Sequence, residues 1–291
     1  MRRAFRILAV LIAVSVLITA IDRLSVLFDI YEAPRRPLPP TDMRPWLGAQ
    51  PAPIPFGNTA TRPTVDITVE DPGKPHDSIG TAFHVAPGVW LTAGHVLDSC
   101  RKAYVRVRDQ WLPIARKLVH PVADVAVALV EAAERPPEIH LTKRLPVLGQ
   151  DGYHFGYPGG EPAAVHTRFV GSARIRKGRP GTPLEQGWMW AERARTPPDI
   201  DGLGGLSGGP QVDRTGAVQG ITVLHSPRAG RLTTTPVSRA RELLQPEVAL
   251  VADGGTTISP RDYGDHGTQV REAAGTVSLV FCSVWGLSRP K

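Results

Sequence analysis

Three short segments of the chain carry residues whose types suit nucleophilic catalysis. Residues 90–95 run from an apolar stretch through a turn of small residues and end in His95. Asp124 opens an apolar run, and Ser207 lies among the glycines of residues 204–210. A histidine, a carboxylate and a serine in such surroundings are the groups with which a hydroxyl attacks a carbonyl carbon.

The chemistry explains why each residue type is needed. A serine hydroxyl is a poor nucleophile until a base removes its proton, and histidine titrates in the right range for that task. A buried carboxylate would fix the tautomer of the imidazole and stabilise its protonated form. Glycines around Ser207 let the backbone turn the N–H groups of Gly205 and Ser207 toward a developing oxyanion. We therefore predict Ser207 as nucleophile, His95 as base and Asp124 as the residue that orients the base.

Each of these three signals is weak when it is taken alone. The chain has nine histidines, among them His84, His120 and His225, and a single histidine is usually structural. Asp124 could cap a strand or pair with an arginine, and glycine-rich serine loops are common turns. The order His, Asp, Ser, with each residue in the local context that the mechanism requires, favours the catalytic interpretation.

The elements that must position these residues are short strands separated by Gly/Pro turns. With 29 Gly and 29 Pro in 291 residues, the composition suits strands and turns better than long helices. Strands are predicted at 78–85, 89–93, 103–107, 125–130, 153–156, 167–175, 187–192, 218–224 and 232–236, and one helix at 238–244. The predicted fold class is all-β, as a barrel or a sandwich.

These segments resemble the trypsin-like (chymotrypsin-fold) serine proteases, in particular the bacterial branch that includes the HtrA-type enzymes. Residues 92–95 (TAGH) resemble the family's TAAH segment, and residues 124–129 (DVAVAL) resemble its DIAL strand. Residues 207–210 match its SGGP, and the turn 156–159 (GYPG) is similar to a segment of bacterial members. The resemblance covers residues 77–244.

The resemblance implies two six-stranded antiparallel barrels with the active site in the cleft between them. It also implies a triad of His95, Asp124 and Ser207, with oxyanion donors at Gly205 and Ser207. The activity would be that of an endopeptidase that forms an acyl-enzyme without a cofactor or a metal. The alternatives are an esterase with the same triad and an interaction protein that keeps the fold without turnover. Leu206 stands where trypsin-type zymogens carry an aspartate, so activation by a new N-terminus is not expected.

Two interpretations of substrate specificity stay open. Asp201 lies six residues before Ser207, the spacing in trypsin of the acid at the floor of the primary specificity pocket. A desolvated carboxylate there would favour Arg or Lys side chains, but Asp201 could equally belong to a solvated proline-rich loop. Counting on from Gly220, His225 and Leu232 fall near positions where trypsin has glycines. Leu232 would then shorten the pocket and favour small or medium apolar side chains.

The first thirty residues indicate export or membrane attachment. Arg2, Arg3 and Arg6 precede an uncharged apolar run over 7–21, and this basic flank should stay in the cytoplasm while the following chain crosses the membrane. Residues 1–30 are interpreted as a signal anchor or a signal peptide, and the anchor is favoured because no convincing cleavage site follows the run. The protease domain would lie in the periplasm, tethered to the inner membrane, with secretion as the alternative.

Three further regions follow along the chain. Residues 31–63 are rich in proline and are predicted to form an extended linker. Residues 64–250 are predicted to be the trypsin-like domain, and residues 251–291 a C-terminal extension that packs on it. Within this extension, residues 277–285 are apolar and β-prone, and could form an extra strand.

The two cysteines and the net charge limit the possible partners. Cys100 and Cys282 are too few for a zinc cluster. In an exported chain they could form a disulfide, the alternative being two buried thiols. The formal net charge of +7 comes without a nucleic-acid recognition motif. We expect a monomer that binds a polypeptide substrate, that contacts the membrane through its anchor, and that binds no nucleic acid.

Overall fold

The computed structural model describes residues 64–69, 76–131, 136–177, 184–244, 250–251, 254–273 and 275–285. The anchor or signal peptide predicted at 1–30 and the linker predicted at 31–63 lie outside the described residues. Among the helices of the described ranges, none is both long and apolar enough to cross a membrane.

Fifteen strands, numbered in chain order, make up most of the described chain. The first barrel consists of β2 (Ser78–Ala86), β3 (Val89–Thr92), β4 (Lys102–Val107), β5 (Gln110–Val119), β6 (Ala126–Val130) and β15 (Val277–Ser283). The second consists of β8 (Asp151–Gly156), β9 (Ala163–Lys177), β10 (Leu184–Thr196), β11 (Pro210–Val212), β12 (Val218–Ser226) and β13 (Arg231–Pro236). Peripheral strands are β1 (Thr64–Val69), β7 (Leu141–Thr142) and β14 (Leu250–Val251). The α-helices found among the described residues are α1 (Gly94–Leu97) and α2 (Tyr263–Thr268).

The first barrel closes in the order β15-β2-β3-β6-β5-β4, and all its neighbouring strands are antiparallel. Alternation explains the inward face of β4, where Ala103, Val105 and Val107 are buried between more exposed residues. The apolar segment near the C-terminus is therefore one of the six barrel strands. Strand β15 pairs with β2 on one side and with β4 on the other.

The second barrel closes because β11 pairs with both β8 and β12, in the order β11-β8-β9-β10-β13-β12. Its neighbouring strands are antiparallel, whereas the peripheral strands β1, β7 and β14 are added in parallel. The predicted all-β fold with two antiparallel barrels and a short C-terminal helix is confirmed. The helix predicted at 238–244 is a 3₁₀ segment, Val237–Glu242.

The two barrels pack against each other through a shared apolar cluster. Its buried members include Phe83, Leu91, Val125 and Val127 from the first barrel, and Tyr153, Phe155, Val212 and Ile221 from the second. Those of the first barrel come from β2, β3 and the start of β6, which flank His95 and Asp124. Those of the second come from β8, β11 and β12, which surround the Ser207 turn. Burial of this cluster holds the two halves of the candidate site together.

Cys100 and Cys282 are joined by a disulfide that spans 182 residues of chain. The bridge connects the segment after α1 to β15. We expect the double variant Cys100→Ser/Cys282→Ser to lower the free energy of unfolding by about 2–5 kcal/mol, because the bridge restricts the unfolded chain. Urea denaturation of the variant and of the oxidised parent measures this difference. Equal midpoints and slopes would contradict the expectation, and the reduced parent, which should match the variant, is the control.

Candidate active site

His95 lies in α1, a single helical turn that begins directly after β3. Its backbone N–H donates to Asp124 Oδ1, and its Nδ1 lies 2.8 Å from Asp124 Oδ2. A carboxylate can only accept, so in the neutral ring Nδ1 carries the proton and Nε2 keeps its lone pair. The side chain of Asp124 is 1% exposed and that of His95 is 44% exposed. The imidazole of His95 thus faces solvent, while the carboxylate that contacts it is excluded from water.

The Ser207 turn connects β10 to β11 and packs against the residues that precede α1. Gly208 has φ +88°, and a Cβ there would lie 2.0 Å from Thr81 O and 3.0 Å from Ala93 N. Only glycine allows the turn to approach this closely. The N–H of Gly208 donates to Thr222 O in β12, so the turn is also held by a strand of its own, second barrel. Ser207 is consequently held next to the start of the helix that carries His95.

The peptide between Gly204 and Gly205 is oriented by the turn that contains GYPG. Gly204 O accepts a hydrogen bond from Gly159 N–H at 2.7 Å. Because N–H and C=O point in opposite directions in a trans peptide, the N–H of Gly205 points away from Gly159. Gly205 has φ +100°, and a Cβ would lie 2.5 Å from Tyr157 O, so the position requires glycine.

The peptide between Leu206 and Ser207 is oriented in the same way. Leu206 O accepts a hydrogen bond from Gly209 N–H at 2.9 Å, so the N–H of Ser207 points away from that contact. Within the described parts of the chain, neither Gly205 N–H nor Ser207 N–H donates to a protein group. Two such donors separated by one residue can bind an oxyanion.

Thr81 in β2 supports this turn and was not identified from the sequence. Its hydroxyl donates to Gly205 O at 2.7 Å and accepts from Tyr157 N–H at 3.0 Å. Its backbone N–H donates to Ser207 O, and its carbonyl accepts from the hydroxyl of Thr92. A threonine in a buried strand carries no local signal of this role, because the role depends on contacts with residues far away in sequence.

The structure brings together His95 and Asp124, but it does not join His95 to Ser207 by a hydrogen bond among the described residues. Ser207 is half-buried and belongs to the second barrel, whereas His95 belongs to the first. Such contacts between base and nucleophile are often long without substrate and shorten when it binds.

Two of the three predicted specificity residues, Asp201 and Leu232, differ strongly in burial. Asp201 is exposed in this structure. The exposure is consistent with a solvated loop, and both interpretations made from the sequence stay predictions. Leu232 is fully buried in the core of the second barrel, where it pairs across the sheet with Trp190. Leu232 is therefore a core residue of the second barrel in this structure.

His225, the third of these residues, lies beside a carboxylate. Its side chain is 11% exposed, and its Nε2 is 3.5 Å from Glu192 Oε2. Burial opposes ionisation of Glu192, but the nearby His225 and the hydrogen bond from Arg195 outweigh it and lower the pKa of this carboxyl group. Arg195 also donates to Ile200 O at 2.8 Å. The cluster thus fixes the loop that leads to the Ser207 turn.

Two other histidines are unsuited to act as a base. The ring nitrogens of His154 lie 2.9 Å from Thr222 Oγ1 and 3.1 Å from Thr167 Oγ1, and burial lowers the pKa of His154 to about 3. Burial also lowers the pKa of His84. Neither ring is exposed. Within the described ranges, no three His, Cys, Asp or Glu side chains are grouped as a metal site requires.

The family match agrees with this geometry. Residues 80–221 match the family described as "Trypsin-like peptidase domain". By this match residues 80–221 are a trypsin-like peptidase domain, which confirms the resemblance recognised in the sequence motifs. The matched residues include His95, Asp124 and Ser207. No curated protein matches the chain.

Solved structures of proteases are similar to this chain at low sequence identity. The active form of the Rv3671c protease from M. tuberculosis is 21% identical, with 70% of this chain and 98% of that chain covered and a TM-score of 0.51. The HtrA-type protease AlgW with decapeptide is 22% identical, with 56% and 50% covered and a TM-score of 0.45. The MamO protease domain from Magnetospirillum magneticum is 18% identical, with 58% and 95% covered and a TM-score of 0.44. The likeness to the first of these supports the two-barrel fold.

Proposed function

We propose that the protein is a serine endopeptidase that hydrolyses peptide bonds through Ser207, His95 and Asp124. The observation that carries this proposal is the double contact of Asp124 with the backbone N–H and Nδ1 of His95. That contact leaves Nε2 of an exposed imidazole as the basic atom, next to the turn that holds Ser207.

In the proposed reaction, Ser207 Oγ attacks the carbonyl carbon of the scissile bond while His95 Nε2 takes its proton. The carbonyl oxygen becomes an oxyanion and accepts hydrogen bonds from the N–H groups of Gly205 and Ser207. His95 then gives the proton to the leaving amine, and the C–N bond breaks to leave an acyl-enzyme. Water attacks the ester in a second cycle in which His95 again serves as base and then as acid.

An unpaired strand edge supports a polypeptide substrate over a small ester. Beyond Thr222, β12 pairs with β13 on one side, and its pairing with β11 on the other side ends at Ile221. In the described residues, 223–226 therefore have no strand partner on the side of the Ser207 turn. An extended peptide can add to such an edge through main-chain hydrogen bonds.

We further propose that the enzyme prefers small or medium apolar side chains at the cleaved bond. Support comes from the exposed position of Asp201 and from the complete burial of Leu232. Cleavage of a mixed peptide library by the full chain would measure the preference. A strong preference for Arg or Lys that is abolished by Asp201→Ala would contradict it.

A fluorophosphonate probe tests the central proposal, because it reacts with an activated serine. We expect covalent labelling at Ser207 in the full chain and none after prior heat denaturation. Absence of labelling in folded protein would instead favour a protease-fold interaction protein. Labelling without cleavage of any peptide in the library would favour an esterase.

The cellular setting is proposed on the sequence alone. We propose a member of the bacterial branch, tethered to the inner membrane by residues 1–30, with the protease domain in the periplasm as a monomer. N-terminal sequencing of the native protein tests the tether: an N-terminus beyond Ala20 would establish secretion.

A further inference from the structure

We propose that His120 and Glu242 are positioning residues that hold the turn carrying Asp124 in the orientation needed by His95. The proposal rests on the proposed function and deepens it. It adds to the site a contact between the end of the second barrel and the turn that leads into β6.

The ring of His120 organises this turn from within. Its Nδ1 accepts hydrogen bonds from Val122 N–H at 3.1 Å and Ala123 N–H at 2.8 Å. Its backbone N–H donates to Val125 O at 3.0 Å. The turn on both sides of Asp124 is thus tied to one residue. Because the side chain of His120 is 3% exposed, water cannot readily replace these contacts.

The two amide donors also fix the tautomer of His120. Since Nδ1 accepts, the neutral ring must carry its proton on Nε2. This Nε2 lies 2.7 Å from Glu242 Oε2, so it donates to the carboxylate. The hydrogen bond from His120 is the main reason that the pKa of Glu242 lies below its usual range, with Arg239 acting in the same direction. The other oxygen of Glu242 accepts from Arg239 at 2.5 Å.

Apolar packing brings the same two elements together. Ala123 and Val125, the neighbours of Asp124, belong to one buried cluster with Val237 and Ala240 of the 3₁₀ segment. The segment therefore shares a buried cluster with the turn and contacts it directly through Glu242. Two kinds of contact on the same turn restrict its rotation more than either would alone.

The orientation of Asp124 matters because both its oxygens are used, one by the backbone N–H and one by Nδ1 of His95. A small rotation of the turn would lengthen at least one of these bonds. Misplacement of a catalytic group by about 1 Å can cost roughly 100-fold in rate. Loss of the His120–Glu242 contact should therefore lower kcat. KM should stay unchanged, because the substrate is bound by contacts made elsewhere.

The test compares Glu242→Ala, Glu242→Gln and His120→Asn in the full chain. We expect Glu242→Ala to lower kcat roughly 10- to 100-fold with KM unchanged, and Glu242→Gln, whose amide oxygen can still accept from Nε2–H, to retain most of kcat. His120→Asn keeps an acceptor near the position of Nδ1 but cannot reach Glu242, so it should resemble Glu242→Ala. The double variant His120→Asn/Glu242→Ala should lose no more than the worse single variant. Asp66→Asn, which breaks an exposed ion pair with Arg174 on the second barrel, is the matched control.

A second readout separates positioning from folding and from the proposed function. The proton on Nδ1 of His95, hydrogen-bonded to Asp124, gives a far-downfield proton resonance that does not require turnover. We expect it to shift or broaden in Glu242→Ala and to persist in Glu242→Gln and Asp66→Asn. An unchanged resonance together with a normal kcat in Glu242→Ala would overturn the positioning role of His120 and Glu242. Equal losses of kcat in Glu242→Ala and Glu242→Gln would overturn it as well. A parent protein that shows the resonance but does not label with the fluorophosphonate probe would reject the proposed function instead.

Discussion

Replacing Ser207 with alanine is expected to lower kcat for peptide hydrolysis by on the order of 10⁶-fold, as loss of the nucleophile does in serine proteases of other folds. The physical reason is that no other group of the turn can form the acyl-enzyme. The backbone donors at Gly205 and position 207 would remain, so a residual rate above that of water is expected. Steady-state kinetics on the best peptide of the library, with active-site titration to exclude traces of parent enzyme, measures the effect.

The fold should tolerate this change. Ser207 is half-buried, and the contact it makes with Thr81 uses its backbone carbonyl, which alanine keeps. We therefore expect a thermal unfolding temperature close to that of the parent. Retention of near-normal turnover by a verified Ser207→Ala protein would reject Ser207 as the nucleophile, and with it the proposed mechanism.

Asp124→Asn is expected to lower kcat by on the order of 10⁴-fold, through the tautomer of His95. An asparagine oxygen can still accept the backbone N–H of His95, but its amide group would then face Nδ1. An N–H facing Nδ1 favours the tautomer with its proton on Nε2, and that nitrogen can no longer accept a proton from Ser207. Kinetics and the far-downfield resonance of the Nδ1 proton, which should disappear, both report this change.

Asp213→Asn provides the matched control for the loss of a buried carboxylate. Asp213 is 4% exposed and accepts from Thr215 N–H and Thr215 Oγ1 in a turn of the second barrel. This variant should lose stability while the folded fraction keeps its kcat. If Asp124→Asn and Asp213→Asn both lost stability and both kept turnover, Asp124 would be structural rather than catalytic.

The fold class could be predicted from the sequence, because the patterns that indicate strands and turns are local. Alternating and apolar runs between Gly/Pro turns predict strands wherever they occur, and most predicted strands overlap strands of the structure. Strand β5 escaped prediction because Pro113 and the adjacent charged residues Arg116 and Lys117 interrupt the alternation. In the barrel, Pro113 lies opposite Tyr104 in the pairing of β5 with β4.

The partners of residues far apart in the chain could not be predicted in the same way. The role of His120 depends on Glu242, which lies 122 residues later in sequence. Counting residues along the chain left Asp201 open between a specificity pocket and a solvated loop, because loop lengths decide where such a residue lies; in the structure it is exposed. Motifs near the nucleophile predicted the site, because there the mechanism itself restricts which residues can be used.

The position of β15 has a consequence for how the protein is made. Synthesis proceeds from the N-terminus, so His95, Asp124 and Ser207 all emerge before residues 277–283, which complete the first barrel. Until then β2 and β4 are each without one neighbour, and the sheet that carries His95 and Asp124 is an open one. The nascent chain would thus contain every group needed for proteolysis without holding them in working geometry. Synthesis of the seven residues of β15 would set the moment at which the protein becomes a protease.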